Sequence, residues 1–166
     1  MKKIIVITGA SSGIGKEFAV QLDKIGGADE IWAIARRLDR LEELKKILKT
    51  PVRPVSLDLS DVKNIETYKK MLEDETLDVK MLVNCSGYGK FDHYENISPE
   101  VNQNMIDLNV KAVVGMVDAT LPHISKGGKI INIASCAGFQ PIPYINIYAA
   151  TKAFVLSYTR ALKVEL

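Results

Sequence analysis

Ile4-Ile5-Val6-Ile7-Thr8-Gly9-Ala10-Ser11-Ser12-Gly13-Ile14-Gly15-Lys16-Glu17-Phe18 is the stretch whose reading decides the fold. Ile4 to Ile7 is a short run of β-branched apolar residues, the pattern of a strand buried on both faces. Lys16 to Ile25 has helical spacing, with Phe18, Leu22 and Ile25 on one side, and Gly26-Gly27 ends it. Between strand and helix stand Gly9, Gly13 and Gly15. Glycines there permit a tight turn, close approach of the backbone to a ligand, and close packing of helix on strand. The helix start then offers unpaired N–H groups and a positive dipole end, a favourable place for a pyrophosphate. The spacing is G-x-x-x-G-x-G rather than the G-x-G-x-x-G of the general fingerprint. A glycine-rich loop without a ligand is the alternative, and the strand–turn–helix context argues against it.

Outward from this turn the same alternation repeats. Ile31 to Ala35 reads as a second strand, and Leu38, Leu41, Leu44 and Leu48 make Arg37 to Lys49 an amphipathic helix. Pro51 and Pro54 flank the approach to a third strand, Val52 to Leu57. Ser60 or Asp61 caps a helix over Val62 to Glu73. Met81 to Asn84 is a fourth strand. Ser98-Pro99-Glu100 is an N-cap with proline at the first helical position, opening a long helix to about Ser125 with a break near Pro122. Gly127-Gly128 leads into a fifth strand, Lys129 to Ala134, and a helix runs from Tyr148 to the end. Strands alternating with helices predict right-handed βαβ units on a parallel sheet. No repeat, linker or second domain interrupts the pattern, so 1–166 is expected to be a single domain.

At the end of the second strand, about twenty residues beyond the turn, an NAD site commonly has an acidic residue for the ribose hydroxyls. Here Ala35 is followed by Arg36 and Arg37. A carboxylate would repel a 2′-phosphate, whereas a guanidinium binds one in bidentate fashion. The charges favour NADP over NAD, with Arg36 the first candidate and Arg37 the second. Two solvated arginines at a helix start are the alternative.

Tyr148 and Lys152 stand four residues apart, and Ser135 lies thirteen before the tyrosine. On a helix the phenol and the ammonium share a face. A phenol ordinarily titrates near pH ~10, and a nearby ammonium favours its ionised form. The pair therefore suggests a tuned acid/base of the kind that carbonyl reduction or alcohol oxidation needs. Alone, the spacing is also that of an ordinary amphipathic helix surface.

The composition, 47% hydrophobic and 25% charged, is that of a soluble globular protein, and a net charge of +2 with scattered lysines gives no nucleic-acid stripe. Cys85 and Cys136 lack metal-type spacing and read as small buried residues suited to a reducing cytoplasm. No segment approaches the ~18 apolar residues of a membrane span, and the basic start is followed by too short an apolar run for a signal peptide. A cytoplasmic protein is expected. His93 and His123 lack partner carboxylates at suggestive spacings and read as packing residues. Phe91, Tyr94 and Tyr144 fall in loops at the C-terminal strand ends, where they either line a substrate pocket or do not.

With these residues assembled, the chain resembles the short-chain dehydrogenase/reductase family. The matching pieces are Thr8-Gly9-Ala10-Ser11-Ser12-Gly13-Ile14-Gly15, Asp58-Leu59, Asn84-Cys85-Ser86-Gly87, Asn109-Val110, Ile133-Ala134-Ser135 and Tyr148-x-x-x-Lys152. They stand in the family's order and spacing over nearly the whole chain. The resemblance implies a three-layer doubly wound parallel sheet, a Rossmann fold with strand order 3-2-1-4-5, lacking the family's last strands. It implies that Tyr148 is the proton donor in reduction, that Lys152 tunes it and bonds the nicotinamide ribose, and that Ser135 donates to the substrate oxygen. Asn109 would hold a water passing protons towards Lys152. Gly9, Ser11, Ser12, Gly13, Ile14 and Gly15 would take the pyrophosphate, Asp58 the adenine amino group with Leu59 beside it, and Asn84 and Gly87 would line the cofactor's middle. The Ala-Arg-Arg run resembles the NADP-preferring members.

Two departures qualify the resemblance. The family usually shows Asn-Asn-Ala-Gly where Asn84-Cys85-Ser86-Gly87 stands, which adds the Ser86 hydroxyl near the cofactor. Family members also continue past the Tyr148 helix with two more strands, a cofactor-contacting loop and a lid. The chain is therefore expected to be a piece of something longer, a natural truncation being the alternative, and its fifth strand would expose an apolar edge. Val113, Val114, Met116 and Val117 give the long helix an apolar surface wider than one sheet needs. The resemblance places a dimer interface on this helix and the Tyr148 helix, so a homodimer or homotetramer is expected. The expected function is NADP-dependent interconversion of a small ketone or aldehyde and its alcohol. The alternative is a module that holds NADP, or only a partner chain, without turnover.

Overall fold

The computed structural model describes residues 1–166. Five parallel strands lie in the order β3-β2-β1-β4-β5: β1 Lys2–Thr8, β2 Glu30–Ala35, β3 Val52–Ser56, β4 Leu77–Asn84 and β5 Lys129–Asn132. This is the predicted Rossmann order. Alternate side chains of each strand feed opposite faces. Ile4, Val6, Trp32, Ile34 and Leu82 pack under α3 (Val62–Glu73) and α5 (Ala112–Thr120). Ile5, Ile7, Ile31, Ala33 and Val83 pack under α1 (Gly13–Ile25) and α2 (Leu38–Ile47). Burial on both faces is why the strands read as apolar runs rather than as alternations.

α4 (Pro99–Ile106) opens where Ser98 and Pro99 predict it, with the Ser98 hydroxyl accepting from the Val101 amide. Asp61, not Ser60, caps α3 by accepting from the Lys63 amide. The long helix is not regular. Asp107–Lys111 forms a π-helical turn joining α4 to α5, and a single turn at Leu121–His123 follows, at the predicted break. α6 (Asn146–Glu165) starts two residues before Tyr148, so that residue lies in its first turn.

Other boundaries move for physical reasons. β4 begins at Leu77, earlier than its Met81–Asn84 apolar core, because Leu77, Asp78 and Val79 already pair with β1, Lys80 alone being skipped. The register there shifts between Ile4 and Ile5. Pro54 lies within β3, opposite Ala33, which the sheet tolerates because β3 is an edge strand. β5 ends at Asn132, and Ile133 adds only a bond from its amide to the Asn84 carbonyl at 3.0 Å. Val113, Met116 and Val117 are buried within the chain, so they do not supply the surplus apolar surface expected of this helix; only Val114 of the four is partly open. Cys136 is exposed rather than a buried small residue. No helix is long and apolar enough to cross a membrane.

Candidate active site

The site lies at the C-terminal ends of the strands. After β1 the chain turns at Gly9, whose φ of 67° and whose contact with the Cys85 and Ser86 backbone both exclude a side chain: a Cβ there would sit 3.0 Å from three of their atoms. Gly15 packs α1 against the turn so closely that a Cβ would overlap the Gly9 carbonyl oxygen. Thr8, buried at the end of β1, accepts from the Cys85 and Ser86 amides, both at 3.0 Å, and so ties the turn to the end of β4. A cavity of about 380 Å³ opens above the turn. Gly9, Ser11, Ser12, Gly13, Ile14, Gly15, Arg36, Arg37, Asp58, Leu59 and Gly87 all line it, as does Tyr88.

The two arginines are placed differently. The Arg37 guanidinium donates to the Ser11 and Ser12 hydroxyls, each at 3.2 Å, and lies over the turn. Arg36 faces Asp58 across 4.0 Å, with both side chains well exposed. One Asp58 oxygen is committed to its own loop, accepting from the Ser60 amide at 3.0 Å and hydroxyl at 2.7 Å. Asn84 does not line the cavity with its side chain. It is buried between β4 and β5, where its amide donates to Asn132 at 2.9 Å, and Asn132 donates on to Thr159 of α6. The wall expected from Asn84 is instead made by Cys85, Ser86, Gly87 and Tyr88. Burial pushes the Cys85 thiol up to about 11, against the pull of the Lys152 charge, so it stands as a neutral thiol at ordinary pH.

Asn109 is fully buried in the π-helical turn. Its Oδ1 accepts from the Tyr88 amide at 3.0 Å, and its Nδ2 donates to the Tyr88 carbonyl at 2.9 Å and to the Thr151 hydroxyl at 3.1 Å. Both amide hydrogens are thus committed within the protein, so the side chain clamps the cavity wall. A π-helical turn inside a helix is a frequent mark of a functional position.

Lys152 is 6% exposed, and its ammonium donates to the Ile133 carbonyl at 2.7 Å, 5.7 Å from the centre of the Tyr148 ring. Burial holds its pKa below the ordinary lysine value. A Cβ on Gly87 would lie 2.9 Å from Asn109 Oδ1 and 3.6 Å from Lys152 Nζ, so both residues stand directly behind the cavity wall. Gly89 packs against the Tyr148 ring, where a Cβ would come within 2.9 Å of it. Ser135 caps the short turn Cys136–Phe139, its oxygen accepting from the Ala137 amide at 3.2 Å, while its own proton has only a long contact, 4.0 Å, to Cys136 Sγ.

The loop after β4 meets the loop before α6. Asp92 donates its amide to the Tyr144 carbonyl at 2.9 Å, and Tyr144 adopts a left-handed φ of 66°. Its ring stands 4.8 Å from His93 and 5.9 Å from Phe91. His93 is therefore a packing partner of Tyr144, and His123 lies in the terminal turn of the long helix. No three His, Cys, Asp or Glu side chains converge as a metal site would need.

Tyr88 and Thr151 are site residues that the sequence does not mark, and Thr8, which opens the first motif, carries a role that the motif does not show. Their partners lie tens of residues away along the chain, and no local spacing marks such contacts.

Residues 3–166 match the family model described as short chain dehydrogenase. The chain is 36% identical over 167 residues to an uncharacterized oxidoreductase of Staphylococcus epidermidis, covering 99% of this chain and 72% of that protein. It is 35% identical to an NADP-dependent 3-hydroxy acid dehydrogenase of Schizosaccharomyces pombe, covering 98% of this chain and 65% of that one. It superposes with a TM-score of 0.88 on a short-chain dehydrogenase from Sphingobium yanoikuyae in complex with NADPH, at 29% identity, covering 99% of this chain and 65% of that chain.

Proposed function

The chain belongs to the short-chain dehydrogenase family of oxidoreductases, and from that membership we propose that it binds NADP(H) and interconverts a small ketone or aldehyde with its alcohol, with Tyr148 as the acid/base. One observation carries this reading. Lys152 and Asn109 abut Gly87, so the wall of the glycine-lined cavity and the first turn of α6 form one continuous site. The cavity suits a dinucleotide phosphate: it has a glycine turn at a helix start and two arginines. The NADPH and NADP in the related proteins support the same choice.

The arginine ranking changes. Arg37, already held to the loop by two serine hydroxyls, is the main candidate for the 2′-phosphate, with Arg36 opposite it beside Asp58. Gly9, Ser11, Ser12, Gly13, Ile14 and Gly15 hold the pyrophosphate, and Asp58, with one oxygen free of its own loop, takes the adenine amino group beside Leu59.

When bound, the nicotinamide supplies or accepts the hydride. Tyr148 gives its proton to the oxygen that becomes the alcohol and takes it back in oxidation. The Lys152 ammonium stabilises the negative charge left on the phenol oxygen, and its anchor at the Ile133 carbonyl keeps it on the Tyr148 side of the cavity. Ser135 keeps its O–H for the substrate oxygen, where it stabilises developing charge. The Phe91–His93–Tyr144 cluster, on the two loops that adjoin Gly89 and α6, is the proposed substrate mouth. Association through α5 and α6 belongs to the same reading. Its support is the exposed Phe154 ring stacked on Tyr158, not the buried Val113, Met116 and Val117.

Tyr148→Phe tests the mechanism. In a panel of ketones and aldehydes with NADPH, reduction should fall about 10²–10⁴-fold while NADPH still binds. Reduction at the wild-type rate would refute the role of Tyr148. NADPH binding by the wild-type chain with no turnover of any carbonyl would favour the non-catalytic module instead.

A further inference from the structure

We propose that Thr151 is a positioning residue that ties the first turn of α6 to the wall of the cofactor cavity. The inference rests on the reading of Tyr148 as the acid/base, because its consequence is that the phenol and the cavity move as one unit.

Thr151 is 3% exposed, so its hydroxyl has no water to turn to. That hydroxyl donates to the Tyr148 carbonyl at 2.7 Å and accepts from Asn109 Nδ2 at 3.1 Å. The first bond is an ordinary helical back-bond, which a threonine makes locally and which needs no explanation beyond the helix. The second is tertiary. It reaches an amide that grips the Tyr88 peptide by both its N–H and its C=O, and Tyr88 lines the cavity.

This link matters because of the segment it ends on. Residues 85–90 have no regular structure, and Gly87 and Gly89 flank Tyr88. A segment with glycine on both sides loses much entropy when ordered, so its place depends on the bonds that hold it. The Asn109 amide supplies both bonds to the Tyr88 peptide, and Thr151 attaches that amide to the helix bearing Tyr148 and Lys152. Without the hydroxyl, one Asn109 N–H is left buried and unpaired, and α6 loses its polar connection to the wall. A threonine that served only its own helix would not be met by a side chain from a different element.

Thr151→Val keeps the shape and removes the hydroxyl; Thr151→Ser keeps the hydroxyl. Wild type and both variants are compared by amide hydrogen exchange at Tyr88, by NADPH fluorescence titration, and by urea unfolding to measure the global change. In Thr151→Val, Tyr88 exchange should rise about tenfold beyond what the shift in global stability produces, and NADPH affinity should fall about tenfold. Thr151→Ser should restore both. Wild-type exchange and affinity in Thr151→Val would overturn the proposal, as would Thr151→Ser behaving like Thr151→Val, since packing would then be the cause. If Thr151→Val does not fold, Thr151→Ala carries the same comparison. If the wild-type chain does not bind NADPH, the cofactor reading fails, and the exchange at Tyr88 still decides whether the tether exists.

Discussion

Arg37 reaches back over the glycine turn to the hydroxyls of Ser11 and Ser12, while Arg36 turns toward Asp58. A guanidinium held in place needs less ordering when a phosphate arrives than one free in solvent. Arg37→Ala should therefore weaken NADPH binding about tenfold or more and leave NADH binding nearly unchanged, and Arg36→Ala should have the smaller effect. Parallel titrations with both cofactors check this; tighter binding of NADH than NADPH by the wild-type chain would remove the basis of the argument. Lys152 shows a second residue-level effect. Burial lowers its pKa from the ordinary 10.5, so the folded chain releases this proton more readily than the unfolded one. Below the folded value both states hold the proton and the desolvation cost is fully present. As the pH rises from the folded value toward 10.5, the unfolded chain binds more protons and this group's contribution to stability rises. Unfolding curves of wild type and Lys152→Met across that alkaline window should diverge in slope, the variant being flatter.

Among the elements, α3 is the most legible. Its boundaries, Val62–Glu73, follow from the apolar spacing, and its cap is one of the two residues the spacing offered, Asp61 rather than Ser60. The Asp61 carboxylate accepts from Lys63 at 2.9 Å, so Asp61→Ala should cost about 1 kcal/mol of stability, read as a lower urea midpoint with an unchanged slope. The first half of β4 is illegible because Asp78 and Lys80 break the apolar run, although backbone pairing with β1 continues past them. The π-helical turn at Asp107–Lys111 is illegible for another reason. Nothing in Asp-Leu-Asn-Val-Lys departs from an ordinary helix, and the turn shows only once Asn109 is seen clamped on Tyr88.

For the whole molecule, acid stability depends on carboxylates that fold into partnered positions. The Lys80 ammonium, 2.7 Å away, is the main cause that holds Asp78 below its ordinary 3.8, with burial opposing it. A folded pKa below the unfolded one means that the contribution is complete above pH 3.8 and is lost as the pH falls through the folded value. Asp78→Asn should flatten the acid limb of stability measured between neutral pH and pH ~3, and an unchanged limb would exclude Asp78 as a source. At this scale the division between sequence and structure is physical. The βαβ alternation, the parallel sheet and the glycine turn are properties of local pattern: β-branched runs, helical spacing, and glycine where no side chain fits. Residue order alone is enough to encode them. The placement of Arg37 over the turn, the turning of Asn84 away from the cavity, the burial of Val113, Met116 and Val117, and the chain of bonds from Tyr88 through Asn109 to Thr151 arise only when the chain is folded. Each depends on which groups from distant parts of the chain meet in space, and on the need of every buried polar group for a partner.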